Sequence, residues 1–409
     1  MESHKVLIIG SGGRENALAW KISQSRFCEK LFIAPGNAGT SFLGENVEIP
    51  TTDFLAIRDL ILHNKISIVI VGPEAPLVNG LHDFLTNEIK NENFVVIGPK
   101  KNGAALEGSK EFAKEFMFRH KIPTARYRTF NKKNIHEANA FLNSLNPPYV
   151  LKADGLAAGK GVLILTNLEE AKNSLENMIL EKKFGQASER VVIEEYLKGI
   201  EVSSFVLTDG NTYKIFPMAK DYKRIGVGDT GLNTGGMGAI SPVPFVDQKL
   251  YQKIENRVIR ATINGLKKDK IDYTGFLFIG LMIVKDEPYV IEYNVRLGDP
   301  ETEAILPRIE SDLLEIFLKL KNSQLQTSNL KVSDLFSSTV MTVSKGYPEK
   351  YEKGKIIKGL DCKHESFLFH SGTKKESQNI VTSGGRVIAV TSTDRVLNKA
   401  LEKSYKTIS

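Results

Sequence analysis

The sequence predicts a multidomain α/β protein that begins with an open parallel sheet and ends in a β-rich segment. The chain has 409 residues, of which 41% are hydrophobic, and this suits roughly two to four domains with cores of their own. Strand-like and helix-like patterns alternate over residues 1–103. After a polar stretch near residue 330, strand-like runs such as "TSGGRVIAV" follow.

The first domain is predicted from four apolar strands, "KVLIIG", "KLFIA", "SIVIVG" and "FVVIG", which are separated by amphipathic helices. Such alternation is typical of a parallel sheet, in which ligands bind beyond the carboxyl ends of the strands. Those ends carry "GSGG", "PGNAGT" and "GPEAPL". A nicotinamide cofactor is not expected, because Glu15 stands where the dinucleotide fingerprint needs a third glycine. Either phosphate binding or a tight turn explains Gly12 and Gly13.

A second glycine-rich segment, "KADGLAAGKG", spans residues 152–161. It differs from a Walker A loop, since only three residues separate Gly155 from Gly159 and since Gly161 follows Lys160. The flanking runs "YVLK" and "VLIL" are both strand-like, whereas a Walker loop opens into a helix. We therefore expect a phosphate-binding loop between two strands of a small domain.

A helix is predicted just before this small domain. Ser109 is its expected N-cap, Lys110 lies in its first turn, and it ends before Pro123. The later stretch "RVVIEEYLKGIEVSSFVL" predicts a strand, a turn and a second strand.

The stretch "PYVIEYNVRLGDPE" predicts a strand with a functional face. Alternation places Glu292, Asn294 and Arg296 on one side. A carboxylate and an amide oxygen suit magnesium, and an arginine suits a phosphoryl group or a carboxylate. The alternative is a solvated outer face.

Composition narrows the possible classes of protein. The opening residues lack a signal-peptide pattern, and the longest apolar run, "GFLFIGLMIV", is shorter than the ~18 residues that span a bilayer. The two cysteines and seven scattered histidines suggest neither a disulfide framework nor a zinc site. The net charge of +7 is spread along the chain, which favours a solvated basic surface over a nucleic-acid site. We expect a cytoplasmic protein that binds neither membranes nor nucleic acid.

Seven motifs occur in a characteristic order: "GSGGREN", "PGNAGT", "VGPEAPLV", "LEGSK", "KADGLAAGKG", "NTGGMGA" and "NVRLGDPE". The series resembles the glycinamide ribonucleotide synthetase family of the ATP-grasp superfamily over nearly the whole chain. The resemblance implies a pre-ATP-grasp domain that binds phosphoribosylamine, a two-lobe ATP-grasp core and a β-rich C-terminal domain. The implied boundaries are 1–103 for the first domain, 104–123 with 193–330 for the large lobe, 124–192 for the lid lobe and 331–409 for the last domain.

The same resemblance implies an ATP-dependent ligation of glycine to 5-phosphoribosylamine, through glycyl phosphate, in the second step of de novo purine biosynthesis. Lys152 and Arg296 would act in catalysis, and Glu292 with Asn294 would bind Mg²⁺, or alternatively Mn²⁺. The implied ATP contacts are Lys110, Lys152, Gly155, Gly159, Lys160, Gly161, Glu194, Glu195, Tyr196, Leu197 and Glu201. Within this set, the glycine-rich loop would close as a lid, the segment from Glu194 to Leu197 would hold adenine, and Glu201 would hold the ribose.

The implied substrate contacts come from two parts of the chain. Those expected around phosphoribosylamine are Gly12, Gly13, Asn37, Gly72, Pro73 and Glu74. The remaining implied contacts, which include the "NTGG" glycines facing the glycine substrate, are Asp221, Asp229, Gly235, Gly236, Asp299, Lys374 and Arg386.

Some residues depart from the family pattern. Asn16 replaces a usual histidine, Leu232 replaces a proline, and the loop around "MAKDYKRIG" is short, which leaves the contacts of Asp221 and Lys223 open. Two other hypotheses compete with this one. The first is another ATP-grasp ligase or a bicarbonate-dependent carboxylase, and the second is a noncatalytic nucleotide or nucleic-acid binding module. A monomer is favoured.

Overall fold

In the computed structural model, which describes residues 3–157 and 161–409, the strands form four sheets. The first is the predicted parallel sheet, with strand order β3-β2-β1-β4-β5. Its central strands contain the apolar runs 6–9 and Ile68–Val71, as expected for a parallel sheet with helices on both faces. The strands are β1 (His4–Gly10), β2 (Cys28–Pro35), β3 (Glu45–Asn46), β4 (Ile68–Val71) and β5 (Val95–Ile97), and the helices are α1 (Gly13–Ser23), α2 (Phe54–Asn64), α3 (Glu74–Val78), α4 (Leu81–Glu88) and α5 (Lys101–Gly108).

A small antiparallel sheet, which we call the lid sheet, has the order β6-β9-β7-β8 and its own apolar core. It follows α6, whose N-cap is Ser109 as predicted: the Ser109 hydroxyl accepts a hydrogen bond from the Phe112 amide. Strands β7 and β8 pair with Lys152 opposite Val162, so the glycine-rich loop joins two strands, as predicted. The elements are α6 (Lys110–Arg119), β6 (Tyr127–Asn131), α7 (Ala138–Asn143), β7 (Tyr149–Ala153), β8 (Val162–Leu165), α8 (Leu168–Ile179) and β9 (Arg190–Glu195).

The largest sheet, which we call the central sheet, has the order β14-β13-β10-β11-β12-β15-β19-β16. Its strands are β10 (Ile200–Thr208), β11 (Tyr213–Gly226), β12 (Thr230–Ser241), β13 (Gly275–Val284), β14 (Glu287–Asn294), β15 (Phe336–Val343), β16 (Phe367–His370) and β19 (Arg386–Asp394). The last three come from the predicted β-rich segment, which therefore extends this sheet. A hairpin of β17 (Thr373–Glu376) and β18 (Asn379–Thr382) stands beside it.

Helices pack around the central sheet. They are α9 (Gln248–Ile254), α10 (Arg260–Lys268), α11 (Glu301–Ile305), α12 (Leu313–Lys321) and α13 (Leu397–Ile408), with a π-helical turn (Glu255–Ile259) between the first two. Short 3₁₀ turns occur at Thr40–Phe42, Ile135–Glu137, Gly185–Ser188, Leu306–Arg308 and Leu325–Thr327. Of the helices described, none is long and apolar enough to cross a membrane.

Two glycines let the parallel sheet approach the central sheet closely. The Gly98 amide donates to the Thr274 carbonyl at 2.9 Å, and a Cβ on Gly275 would lie only 2.7 Å from the Gly98 nitrogen. Gly275 also has φ +140°, a conformation that favours glycine. This contact brings the loops of the parallel sheet next to the end of β14, where the predicted site residues lie.

Candidate active site

A cleft of about 300 Å³ lies where α6, the lid sheet and the end of β14 meet the parallel-sheet loops. Its described charged lining residues are Glu74, Glu107, Lys110, Lys114, Lys152, Glu194, Asp221, Lys223, Glu292, Arg296, Asp299 and Glu301. A larger cavity of about 730 Å³ lies between β19 and α13, and none of the described residues that line it is a predicted site residue.

Glu292 and Asn294 lie on β14 with the predicted alternate spacing, whereas Arg296 lies two residues beyond the end of the strand and a register shift interrupts the pairing at Ile291. Arg296 Nη2 donates to Asn294 Oδ1 at 3.1 Å and to Glu107 Oε1 at 2.7 Å, and Arg296 Nε lies 3.4 Å from Glu74 Oε2. Burial would raise the pKa of Glu292, but Lys223, Lys152 and Lys110 lower it below its ordinary value. Glu292 thus remains an anion in the cleft, and no described residue forms a hydrogen bond or ion pair with its side chain.

The donor set at Glu292 and Asn294 fits a hard divalent cation. The Glu292 carboxylate pairs with no described residue, and Asn294 Oδ1, which accepts from Arg296 Nη2, keeps a second lone pair that a cation could use. The described residues contain no cluster of three or more His, Cys, Asp or Glu side chains placed for a metal. A cation held here would therefore take further oxygens from water and phosphate, as Mg²⁺ commonly does.

A buried triad of charges fixes Lys152. Glu194 lies 3.0 Å from Lys152 Nζ through Oε1 and 3.1 Å from Lys114 Nζ through Oε2. Burial would raise the pKa of Glu194, yet the two lysines lower it below its ordinary value. Burial lowers the pKa of Lys114 to about 8 against the attraction of Glu194. Sequence reasoning missed Lys114, although its i, i+4 spacing from Lys110 puts both on one helix face.

Asp154 joins the glycine-rich loop to the start of α6. Its Oδ1 accepts from the Ser109 hydroxyl and the Glu111 amide, and its Oδ2 accepts from Arg190 Nη2 at 2.9 Å. Lys110 Nζ donates to the Gly155 carbonyl at 3.4 Å, and burial lowers the pKa of this lysine. The glycine-rich loop therefore begins beside Lys110 and Lys152, the two lysines that are predicted to bind phosphate.

The described ends of this loop form backbone hydrogen bonds with each other and with the 3₁₀ turn at Gly185–Ser188. The Ala153 amide donates to the Gly161 carbonyl at 2.8 Å, and the Gly155 amide donates to the Ala187 carbonyl at 3.1 Å. Gly161 lines the cleft. The predicted ATP contacts Gly159 and Lys160 lie outside the described residues.

The segment predicted to hold adenine begins with the last two residues of β9. Glu194 lines the cleft, whereas Glu195 Oε1 accepts from the Arg126 amide at 2.7 Å. Glu201 Oε2 lies 2.6 Å from Lys223 Nζ. The structure thus puts the Glu194 side chain in the cleft, while Glu195, Tyr196, Leu197 and Glu201 are not among the described residues that line it.

The side chain of Glu15, in the first turn of α1, lies against the turn after β1. Its Oε2 accepts from the Gly12 amide at 2.6 Å, and its Oε1 pairs with Arg14 Nε at 2.6 Å. A Cβ on Gly72 would lie 2.0 Å from Glu15 Oε1, so the glycine is required for this close approach. The Gly12 amide, expected to face a phosphate, already has a carboxylate acceptor. The Gly13 Cα faces Glu303, because a Cβ there would lie 2.3 Å from Glu303 Oε1.

Asp299 connects this turn with the predicted "NTGG" segment. Its Oδ2 accepts from the Arg14 amide at 3.4 Å, and its Oδ1 pairs with Arg386 Nη1 at 3.0 Å. Arg386 Nη1 also donates to the Gly235 carbonyl at 2.6 Å. Burial would raise the pKa of Asp299, but Arg386 and Arg14 lower it below its ordinary value. Gly236 packs against Pro300, since a Cβ on Gly236 would lie 2.4 Å from Pro300 Cδ.

Other predicted contacts lie at varying distances from the cleft. Asn37 Nδ2 donates to the Ser11 carbonyl at 2.9 Å, beside the turn after β1, and Pro73 is the N-cap of α3. Asp221 lines the cleft, 3.8 Å from Lys223. Asp229 lies in the turn between β11 and β12, and Lys374 on β17 is exposed and pairs with Glu376. Neither of these last two is among the described residues that line the cleft.

Comparison with known proteins finds three family models that match successive parts of the chain. Models of the phosphoribosylglycinamide synthetase N domain, ATP-grasp (A) domain and C domain match residues 4–107, 108–302 and 337–409. The chain is 43% identical to phosphoribosylamine–glycine ligase from Chlorobaculum tepidum, covering 99% of this chain and 95% of that protein. It is also 43% identical to a bifunctional purine biosynthetic protein from Pichia angusta, covering 99% of this chain and 52% of that protein.

A solved structure gives the same result. The crystal structure of phosphoribosylamine–glycine ligase from Thermotoga maritima superposes with a TM-score of 0.85 at 34% identity, covering 99% of this chain and 96% of that one. The resemblance drawn from the seven motifs is confirmed. The chain belongs to the phosphoribosylglycinamide synthetase family, whose members are ATP-grasp ligases of purine biosynthesis.

Proposed function

We propose that the cleft joins glycine to 5-phosphoribosylamine in two steps that consume ATP. In the first step the γ-phosphoryl group passes to the glycine carboxylate, which gives glycyl phosphate and ADP. In the second step the amine attacks the acyl carbon, and phosphate leaves. The observation that carries this proposal is that Lys110, Lys152 and Arg296 line one cleft, beside the loops of the parallel sheet, together with Glu292, which no described residue pairs with.

ATP is needed because a free carboxylate is a poor electrophile toward an amine. The first step requires charge neutralisation, because the attacking carboxylate and the γ-phosphoryl group are both anionic. Fixed cations in a water-poor cleft lower that barrier. Lys110 and Lys152 would contact the ATP phosphates, and Arg296 would face the glycine carboxylate and the transferred phosphoryl group. Arg296 suits this role because Glu107 and Glu74 hold its guanidinium in place.

The carboxylate of Glu292 and the amide oxygen of Asn294 would hold Mg²⁺, with Mn²⁺ as an alternative. Such a cation supplies Lewis-acid polarisation of phosphoryl oxygens when bound.

The second step needs an amine aligned with the acyl phosphate and protected from water, since an acyl phosphate hydrolyses readily. We infer that phosphoribosylamine binds between the turn after β1, Asn37 and the Gly72–Glu74 segment, because Glu74 lines the cleft and because Asp299, which also lines it, accepts from the Arg14 amide next to that turn. The glycine-rich loop would close over the phosphates and exclude water. A net charge of +7 favours attraction of such anionic substrates. A monomeric state and a cytoplasmic location stay predictions from the sequence.

Substrate-dependent release of ADP tests the proposed function. Purified protein with Mg²⁺ and ATP should release ADP rapidly only when both glycine and phosphoribosylamine are present. Without glycine the phosphoryl group has no acceptor, and without phosphoribosylamine the glycyl phosphate is not consumed. Bicarbonate or alanine in place of glycine should reduce the rate at least about 100-fold, because a cleft shaped for glycine discriminates against other carboxylates. Equal ADP release with bicarbonate would favour the carboxylase hypothesis instead.

Lys114→Met should weaken ATP binding. Loss of one cation of the triad leaves Glu194 to draw Lys152 away from the phosphates, so we expect the KM for ATP to rise at least about tenfold. The matched control is Lys182→Met in the lid lobe, where the lysine pairs with Glu189 at the surface, and we expect no change there. An unchanged KM for ATP in a folded Lys114→Met protein would refute a role for the triad in nucleotide binding.

Glu292→Gln should abolish most activity, since an amide cannot supply the anionic oxygen that a divalent cation prefers. We expect kcat to fall at least about 100-fold and the Mg²⁺ concentration for half-maximal rate to increase. Glu287→Gln is the control on the same strand, because Glu287 pairs with Lys253 and Arg257 away from the cleft. If Glu292→Gln retained the wild-type magnesium dependence, the metal assignment would be wrong.

A further inference from the structure

Part of the "NTGG" segment leaves the regular pairing of the central sheet. Between Tyr222 and Arg224 the register of β11 against β12 shifts, and residues 234–237 bulge out of the ladder. A bulge interrupts the ladder of backbone hydrogen bonds that fixes a strand, and bulges are common beside active sites. Gly235, inside this bulge, lines the cleft. Groups outside the strand pair must therefore hold this part of the cleft wall in place.

Two side chains from the β-rich end of the chain bind both polar groups of the Gly235 backbone. The Gly235 amide donates to the Tyr347 hydroxyl oxygen at 2.9 Å, and the Gly235 carbonyl accepts from Arg386 Nη1 at 2.6 Å. A Cβ on Gly235 would lie 3.2 Å from Arg386 Cζ and 3.4 Å from the Tyr347 hydroxyl oxygen. The glycine backbone thus lies in close contact with both side chains.

Tyr347 is itself fixed by packing against the motif "TSGGRVIAV". A Cβ on Gly385 would lie 2.3 Å from Tyr347 Cδ2, so glycine is required to leave room for the ring. The Ser344 amide donates to the Gly385 carbonyl at 2.8 Å, and the Tyr347 amide donates to the Ser344 carbonyl at 3.1 Å. The ring of Tyr351 packs edge to face on that of Tyr347, with centroids 6.1 Å apart. Because Arg386 directly follows Gly385, the same packing positions both groups that bind Gly235.

Arg386 extends these contacts to the segment after β14. Its Nη1 donates to the Asp299 carbonyl at 2.9 Å and lies 3.0 Å from Asp299 Oδ1. Asp299 lines the cleft together with Arg296 and Gly235. Tyr347, in contrast, is not among the described residues that line the cleft. Its hydroxyl group therefore acts on a ligand in the cleft through the Gly235 backbone.

We propose that Tyr347, together with Arg386, fixes the Gly235 backbone as the part of the cleft wall that faces the glycine substrate. Arg296 would bind the substrate carboxylate in the same cleft. A wall that is held at both its amide and its carbonyl cannot recede from a substituent on the substrate α-carbon, so glycine is accepted and a larger amino acid is rejected. Tyr347 is a positioning residue for substrate specificity, and this role rests on the proposed function. It gives the C domain, residues 337–409, a part in substrate selection.

Tyr347→Phe tests this role, because it removes the hydroxyl acceptor and keeps the ring that packs on Gly385. Loss of one neutral hydrogen bond should raise the KM for glycine about fivefold. The preference for glycine over alanine, measured as the ratio of the two kcat/KM values, should fall at least about threefold. The KM for ATP should stay within about twofold of wild type.

The matched control is Tyr351→Phe. The Tyr351 ring also packs on Gly385, since a Cβ there would lie 3.0 Å from Tyr351 Cε1, but the Gly235 amide donates to Tyr347. We expect wild-type kinetics from this variant.

Hydrogen exchange of the Gly235 amide, followed by NMR on protein labelled with ¹⁵N-glycine, supplies a readout that is independent of turnover. The amide should exchange at least about fivefold faster in Tyr347→Phe than in the wild type or in Tyr351→Phe. Thermal unfolding should show that all three proteins are folded.

Three results would overturn the inference: a wild-type KM and preference for glycine in Tyr347→Phe, a KM for ATP that rises as much as the KM for glycine, or an unchanged exchange rate of the Gly235 amide. Failure of the wild-type protein to use glycine would instead contradict the proposed function. The exchange rates would then still decide whether Tyr347 holds the Gly235 amide.

Discussion

The pairing of buried charges in the cleft is the constraint on which the site depends. Lys152 and Lys114 share Glu194 at 3.0 and 3.1 Å, and Arg296 pairs with Glu107 at 2.7 Å. Loss of one member of such a set costs about 3–5 kcal/mol, because its partner is left charged and buried. Paired side chains therefore keep fixed positions before any ligand binds, and such preorganisation is what a phosphoryl transfer site requires. Glu292 has no such partner among the described residues, and it is the residue that we assign to a cation.

The same constraint links the parallel sheet to the central sheet. Arg14 on α1 pairs with Glu15 and donates to the Leu297 carbonyl at 3.0 Å, while its amide donates to Asp299. Arg386 connects Asp299 with Gly235. These contacts join residues far apart in sequence at the border of the cleft. These contacts would thus hold a nucleotide bound near α6 and a sugar phosphate bound near the turn after β1 at a fixed position relative to each other.

Local patterns in the sequence predicted local geometry correctly. The strand alternation around Glu292, the Ser109 cap and the loop between β7 and β8 all agree with the structure, because each depends on neighbouring residues. Contacts between distant segments were not predictable in this way. The sequence showed Glu15 only as a departure from a fingerprint, whereas the structure reveals it as the acceptor for the Gly12 amide. Lys114 was missed because its partner, Glu194, comes close only through tertiary packing.

Transfer of oxygen from glycine to phosphate tests most directly whether the cleft activates the carboxylate as an acyl phosphate. Glycine labelled with ¹⁸O in both carboxylate oxygens would be incubated with the protein, MgATP and phosphoribosylamine, and the released phosphate would be analysed by mass spectrometry. Attack of the amine on glycyl phosphate breaks the bond between the acyl carbon and its phosphate oxygen, so each phosphate should carry one labelled oxygen. Release of unlabelled phosphate during productive ligation would contradict the account.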